Sequence, residues 1–120
     1  MFDRNAAIEA YSEYAGNRID RLEAYCRATG FSEDIAVLAA SISRIQQEVF
    51  DEIWNRSESR PLTQDEMVAI TREYVARREP WINEKGIMGL LQWIAYMSWH
   101  EGCVKFPEPP RKAKPWWQFW

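Results

Sequence analysis

Residues 32–54 read SEDIAVLAASISRIQQEVFDEIW, and their large apolar side chains recur every three or four positions. This spacing is typical of an amphipathic helix that buries one side. The predicted buried stripe consists of Ile35, Leu38, Ile42, Ile45, Val49 and Ile53, flanked by Phe50 and Trp54. Ser32 is a suitable N-cap, and the acidic pair that follows it favours the positive end of the helix dipole. We therefore expect one long helix that ends within the polar segment 55–59.

A first helix is expected on the N-terminal side of this one, from about Arg4 to Ala28. Its apolar positions have the same helical spacing and are Ile8, Tyr11, Ala15, Ile19, Leu22 and Cys26. Asp3 can accept hydrogen bonds from the unpaired N–H groups of the first turn. Gly30 suits the left-handed residue that ends many helices.

A third, shorter helix is expected to begin at Thr63 and to end near Arg78. Thr63 and Glu66 form a capping box, in which each side chain accepts a hydrogen bond from the backbone N–H of the other residue. The apolar positions that follow are Met67, Ile70, Tyr74 and Val75. No strand pattern competes with this interpretation.

A fourth helix is expected to begin at Pro80, to run over residues 81–101 and to stop at Gly102. Proline is favoured in a first turn, and glycine just past the last one. The middle of this helix is apolar nearly all round, which indicates either a central position in the fold or a second face shared with another chain. Gly86 and Gly89 do not match a phosphate-binding loop, and we expect them to let a neighbouring element approach closely.

The sequence therefore predicts a single all-α domain, an antiparallel bundle of four helices over residues 1–104. Residues 105–120 hold four prolines, and we expect them to form an extended, polyproline-like tail. With 120 residues, 47% of them apolar and 28% charged, the chain can bury a core without disulfides or metal.

Cysteine usage and the N-terminus favour a cytoplasmic location. The chain has two cysteines and begins without the pattern of a signal peptide, and no apolar run is long enough to span a bilayer. In an antiparallel bundle, Cys26 and Cys103 would lie about 30 Å apart. Because a disulfide joins Cα atoms only about 4.4–6.8 Å apart, we predict two free thiols.

Charge is distributed unevenly along the chain. Residues 105–120 carry four basic and one acidic side chain, a net charge of +3, and the preceding 104 residues carry 11 basic and 17 acidic ones, a net charge of −6. An acidic body repels phosphate, so nucleic acid and membrane are expected as partners only through the tail.

No catalytic, metal or cofactor site is predicted. The only histidine is His100, and the nearby Glu101 and Cys103 do not complete the four-ligand set of a structural zinc site. The carboxylates near the end of the second helix alternate with arginines and are interpreted as a solvated face with ion pairs. They are Glu48, Asp51, Glu52 and Glu58.

Seven tryptophans are a large number for 120 residues. We expect the four in the predicted helices to pack in the core, because each buries a large apolar area. They are Trp54, Trp81, Trp93 and Trp99. An alternative is an aromatic pocket for a flat small ligand, with walls formed by Trp93, Tyr96 and Trp99.

The tail is the predicted partner-binding segment. Its aromatic residues, which suit interface anchors, are Trp116, Trp117, Phe119 and Trp120, and its steering charges are Arg111, Lys112 and Lys114. Two other interpretations remain open: the aromatic residues fold back onto the chain's own helices, or the tail binds an anionic membrane surface or single-stranded nucleic acid. The segment 111–117 resembles Trp- and Pro-rich cationic membrane-active peptides in composition, which implies a weak membrane interaction.

The function expected from these features is that of a small non-enzymatic interaction module, an inhibitor, adaptor or regulatory subunit. The expected partner is another protein or a second copy of the chain, and the expected mechanism is occlusion or scaffolding.

Overall fold

The computed structural model describes residues 1–12 and 17–106 and shows a mainly helical protein. Within these ranges the chain forms five helices and two short strands. In chain order they are α1 (Arg4–Ser12), α2 (Arg18–Thr29), α3 (Ile35–Arg56), β1 (Leu62–Thr63), α4 (Gln64–Arg78), α5 (Glu84–Glu101) and β2 (Val104–Lys105). The all-α class is confirmed. The antiparallel order of the bundle stays a prediction, and the tail beyond Phe106 lies outside the described residues.

The prediction of four helices is wrong, because the expected first helix is two helices. Asp3 caps α1 as predicted, accepting a 2.9 Å hydrogen bond from the backbone N–H of Asn5. A new helix then begins after Asn17, whose side chain accepts a 3.1 Å bond from the N–H of Asp20. The apolar spacing continues across this boundary, but Ile19 is 41% exposed and takes no part in a continuous buried stripe.

The long helix α3 is confirmed, with a start that differs from the expected one. Asp34 rather than Ser32 is its N-cap, and the Asp34 carboxylate accepts a 2.9 Å bond from the N–H of Ala36. Four of the six predicted stripe residues are buried: Ile42, Ile45, Val49 and Ile53. The first two, Ile35 and Leu38, pack against the edge of the core.

The capping box of α4 is present as predicted, with both reciprocal bonds between Thr63 and Glu66. The prediction that the last helix begins at Pro80 is wrong, because α5 begins at Glu84. Asn83 is the N-cap and accepts a 3.2 Å bond from the N–H of Gly86, so Trp81 lies in the loop before the helix. An amide side chain that can bond the first turn outweighs the preference of proline for that turn.

Strands β1 and β2 were not predicted. They pair in parallel, with Leu62 opposite Val104 and Thr63 opposite Lys105. Two residues are too few to show the alternation of apolar and polar side chains by which a strand is recognised.

Helix α5 is central, the first of the two positions that its apolar sequence indicates, and packs against α1, α3, α4 and β2. Glycines permit its closest approach. A Cβ atom at Gly89 would lie 2.9 Å from the Cα of Glu9 in α1, and one at Gly86 would lie 2.2 Å from the side-chain oxygen of Asn5. The steric role predicted for both glycines is thus confirmed.

Both cysteines are buried and free, as predicted. Burial raises the pKa of the Cys26 and Cys103 thiols, which keeps them protonated. No helix in the described parts of the chain combines the length and the apolar character that a membrane span requires.

Candidate functional site

The end of α5 fixes where the tail leaves the body. Gly102 ends the helix with φ 77° in the left-handed region, and the N–H of Cys103 donates a 3.1 Å bond back to the carbonyl of Ser98. The carbonyl of Cys103 then accepts a 2.9 Å bond from the N–H of Leu62. Together with the pairing of β2 and β1, these bonds hold the chain up to Phe106 in a defined position.

An aromatic surface lies on α3 and α5. Trp54 is 50% exposed, and its ring lies 6.2 Å from that of Phe50. Phe50 in turn meets Trp93 edge-on, also at 6.2 Å between ring centroids. The expectation that the four tryptophans pack in the core is therefore wrong for Trp54, while Trp81 and Trp93 pack against the core's edge. Trp54 lies near the C-terminal end of α3, on a side of the helix that is exposed to solvent.

The residues of the predicted aromatic pocket follow one another along α5 and are only partly buried. Tyr96 lies 6.1 Å from Trp99 and stacks on His100 at 5.8 Å, while Trp93 packs against Phe50. Tyr96 and Trp99 are thus paired with each other, and Trp93 is paired with another helix. A ligand between the three rings stays a prediction.

Two adjoining cavities lie where α3 ends and the tail begins. The larger, about 650 Å³, is lined by Trp54 and by the loop 57–61. The smaller, about 280 Å³, is lined by Trp99 and Phe106. Pro61 and Gly102 line both, so the two cavities form one surface depression, here called the terminal groove.

Four charged side chains line the terminal groove: Glu58, Arg60 and Glu101 in the larger cavity and Lys105 in the smaller one. The guanidinium of Arg60 donates two bonds of 2.9 and 2.8 Å to the carboxylate of Glu66. This pairing, with a bond from the N–H of Thr63, lowers the pKa of Glu66 to about 2. Among the described residues Glu58 has no hydrogen-bond or ion-pair partner, and Glu101 lies 3.1 Å from the ring nitrogen of His100.

The predicted anchors and steering charges all lie outside the described residues. They are Trp116, Trp117, Phe119, Trp120, Arg111, Lys112 and Lys114. The last described residue before them, Phe106, lines the terminal groove. These residues remain the predicted partner-binding segment.

Of the four carboxylates predicted to form ion pairs, Glu48 and Glu52 do so, while Asp51 accepts a hydrogen bond from Gln47 and Glu58 has no partner among the described residues. Arg44 bonds Glu48 one turn away at 3.2 Å, and Arg56 lies 3.6 Å from Glu52 in the same relation. Among the described residues, no three His, Cys, Asp or Glu side chains lie close enough together to hold a metal ion. Cys103 is buried and donates from its Sγ to the carbonyl of Ser98 at 3.6 Å.

One polar cluster beside Trp93 was missed. The Arg18 guanidinium lies 4.1 Å from the ring of Tyr11 and 5.7 Å from that of Trp93, and it donates to the side chain of Gln46. The Gln46 amide donates to Ser12 at 2.8 Å, and both of these residues are buried. Burial lowers the pKa of Arg18. The N-cap at Asn17 is the one sequence signal that places Arg18 at the start of a helix.

Comparison of the chain with protein families, with curated proteins and with solved structures gives no match.

Proposed function

We propose that this protein is a non-enzymatic interaction module that binds a partner protein through its C-terminal tail. It would act as an inhibitor, adaptor or regulatory subunit, by occluding or scaffolding the partner. The observation that carries this proposal is the attachment of the tail: β2 pairs with β1, and Phe106 lies in the terminal groove, so that the basic aromatic segment starts from a fixed point on an ordered body.

The composition of the tail supports a protein partner. Tryptophan is enriched at interface hot spots because it buries a large area and gives up little conformational freedom. Four of the last five residues are aromatic, and three basic residues precede them. The prolines between Phe106 and Trp116 would hold this segment extended, which reduces the entropy lost on binding. The basic residues would speed the encounter with an acidic partner.

A reducing compartment such as the cytoplasm suits this proposal. Both cysteines are buried free thiols, so the fold needs no oxidising environment. The partner would be another protein or a second copy of this chain. A homodimer would be recognised by a mass in light scattering that doubles with rising protein concentration.

The test is a capture experiment in lysate of the source cells, treated with nuclease, with the full-length chain as bait. The bait variant replaces the four tail aromatic residues with serine: Trp116, Trp117, Phe119 and Trp120. A matched control replaces Met88 and Val37 with serine. These two residues are also apolar and exposed, at 52% and 65%, but they lie on the helical body. We expect one protein to be enriched by the native chain and by the control, and to be lost with the tail variant.

Two results would count against the proposal. If the tail variant captures the same protein as the native chain, the tail is not the anchor. If nothing is captured, but the native chain binds anionic vesicles or single-stranded DNA at low salt and releases them near physiological salt, the electrostatic alternative replaces it.

A further inference from the structure

The terminal groove has an unusual lining for the surface of an acidic helical body. Trp54 presents a half-exposed ring on one side, and Pro61 and Gly102 form a surface without charge between the two cavities. Beyond Pro61, Trp99 and Phe106 add two further rings. The larger cavity is otherwise lined by polar side chains, among them Asn55, Ser57 and Ser59. A groove that combines rings with polar groups is suited to an aromatic side chain flanked by polar or charged ones.

The charge around the groove points to a basic occupant. Glu58 and Glu101 line its larger cavity, where the charge of Arg60 is offset by the bidentate bond to Glu66. Lys105 lines only the smaller cavity, so the negative charge is concentrated in the larger one. The body as a whole, residues 1–104, has a net charge of −6. An occupant that combines aromatic rings with positive charge is therefore complementary to the groove.

We propose that residues 107–120 of the same chain dock in the terminal groove. Their aromatic end would pack against Trp54 and Pro61, and their basic residues would lie beside Glu58 and Glu101. The segment has the required composition, with three basic residues followed by four aromatic ones, and it starts at the groove because Phe106 is part of the lining.

The length of the segment permits this docking. Trp116 lies ten steps along the chain from Phe106, and an extended segment of that length reaches about 31 Å at about 3.1 Å per residue. A segment tethered this closely has an effective concentration in the millimolar range. Docking within one chain is therefore favoured over docking of the same segment from a second copy, unless the protein itself is that concentrated.

If the tail also binds a partner protein, docking in the groove would compete with that binding, so this consequence rests on the proposed function. The docking itself does not. If variants of the groove release the tail while the capture experiment finds no partner, docking stands and the proposed function fails.

The test is limited proteolysis of the full-length chain with trypsin, which cleaves after Arg111 and Lys112 but not between Lys114 and Pro115. The cleaved fragment is followed by mass spectrometry. A docked tail is cut only during transient release, so the rate reports the fraction of undocked chains. We expect Trp54→Ala to raise the cleavage rate about tenfold, since it removes the largest exposed ring of the groove.

Glu58→Gln serves as a second variant, because it removes a rim charge without changing packing or adding a tryptic site. We expect it to raise the cleavage rate about threefold at low salt and to have no effect at about 0.5 M salt, where exposed charges are screened. Met88→Ala, at an exposed position of α5 outside the groove lining, is the control and should leave the rate unchanged.

Equal cleavage rates in the native chain and in both groove variants would overturn the proposal. So would a cleavage rate that falls as the protein concentration rises, because the occupant would then be the tail of a second copy.

Discussion

Two interfaces in this protein hold helices together by different means. Helix α1 lies against α5 where glycines allow the backbones to approach, and a Cβ at Gly89 would come within 2.9 Å of the Cα of Glu9. Helix α4 lies against α3 with ion pairs along the solvent edge: Arg77 bonds Glu52 at 2.5 Å, and Arg56 bonds Glu73 at 3.2 Å. The first contact depends on shape and the second partly on charge.

The difference predicts how each interface responds to change. Close packing tolerates little added volume, because backbone atoms cannot move aside as flexible side chains can. Exposed ion pairs contribute little individually and are screened by salt. We therefore expect steric changes between α1 and α5 to cost more free energy of unfolding than charge changes between α3 and α4.

The largest effect is expected for Gly89→Ala. Alanine is the better helix former by about 1 kcal/mol, but its methyl group would press on the backbone of α1, and overpacking costs about 1–3 kcal/mol. The two effects leave a net loss of about 0–2 kcal/mol in the free energy of unfolding, measured with urea, and we expect the upper half of that range because the clash is with backbone atoms. Met88→Ala, one residue away and exposed, should change it by less than about 0.5 kcal/mol. A more stable Gly89→Ala variant would show that the two helices can separate without cost.

An intermediate effect is expected for Tyr74→Phe, between α4 and α3. The buried Tyr74 hydroxyl donates to the Glu48 carboxylate. This bond lowers the pKa of Glu48. Burial raises the pKa of Tyr74 to about 12, and the bond to Glu48 is the second largest cause of that shift. Hydrogen bonds to charged groups contribute about 1.5–3 kcal/mol, but the Glu48 side chain is 37% exposed, so we expect a loss of about 1 kcal/mol at neutral pH.

The same variant has a predicted pH dependence. Because the pKa of Glu48 is lower in the folded chain, the stabilisation is present above the ordinary value of 4.5 and is lost as the pH falls through the folded value. The stabilities of the native chain and of Tyr74→Phe should therefore converge in acid. Because the pKa of Tyr74 is higher in the folded chain, the difference should be complete below the ordinary value of 10 and should be lost as the pH rises from there through about 12. Urea unfolding of both proteins over this range checks the prediction, and a difference that is constant in acid would contradict it.

The smallest effect is expected for Arg77→Gln, which removes the ion pairs with Glu52 and Glu73. Both partners remain solvated, so we expect a loss of less than about 1 kcal/mol at low salt. This loss should disappear at about 1 M salt, where the Debye length is about 3 Å. A larger loss that survives high salt would show that the contact of the Arg77 guanidinium with the ring of Tyr74, at 5.9 Å from its centroid, matters more than the two ion pairs.

The parts of the fold that were predicted correctly are those with a local chemical signature. The capping box at Thr63, the left-handed glycines at 30 and 102 and the apolar stripe of α3 depend on neighbouring residues in the chain, and a pattern of a few residues is enough to recognise them. The steric role of Gly86 and Gly89 was also predicted, because glycine inside a helix needs a packing reason.

The errors arose where two local signals competed. The apolar spacing runs through Asn17, yet Asn17 caps a new helix and has an acidic residue three positions later, at Asp20. Likewise Pro80 suits a first turn, yet Asn83 provides the side-chain oxygen that the first turn of α5 uses. In both places the capping residue, rather than the apolar spacing or the proline, marks the boundary.

The site was only partly predictable because its geometry depends on distant residues. The terminal groove joins the loop 57–61 to the end of α5, and the two meet through the pairing of β1 with β2, which no sequence pattern indicated. The exposure of Trp54 likewise depends on which neighbours reach that side of α3. The chemistry of the tail, in contrast, is visible in its composition alone.

The central claim is that the aromatic tail, rather than the helical body, binds the partner. The most direct measurement captures partners with the native chain and with the chain in which Trp116, Trp117, Phe119 and Trp120 are serine, at equal amounts of folded bait. We expect the native chain to retain one protein at about 0.5 M salt and the variant to lose it, since an aromatic interface is only weakly screened. Equal retention of that protein by both baits would contradict the central claim.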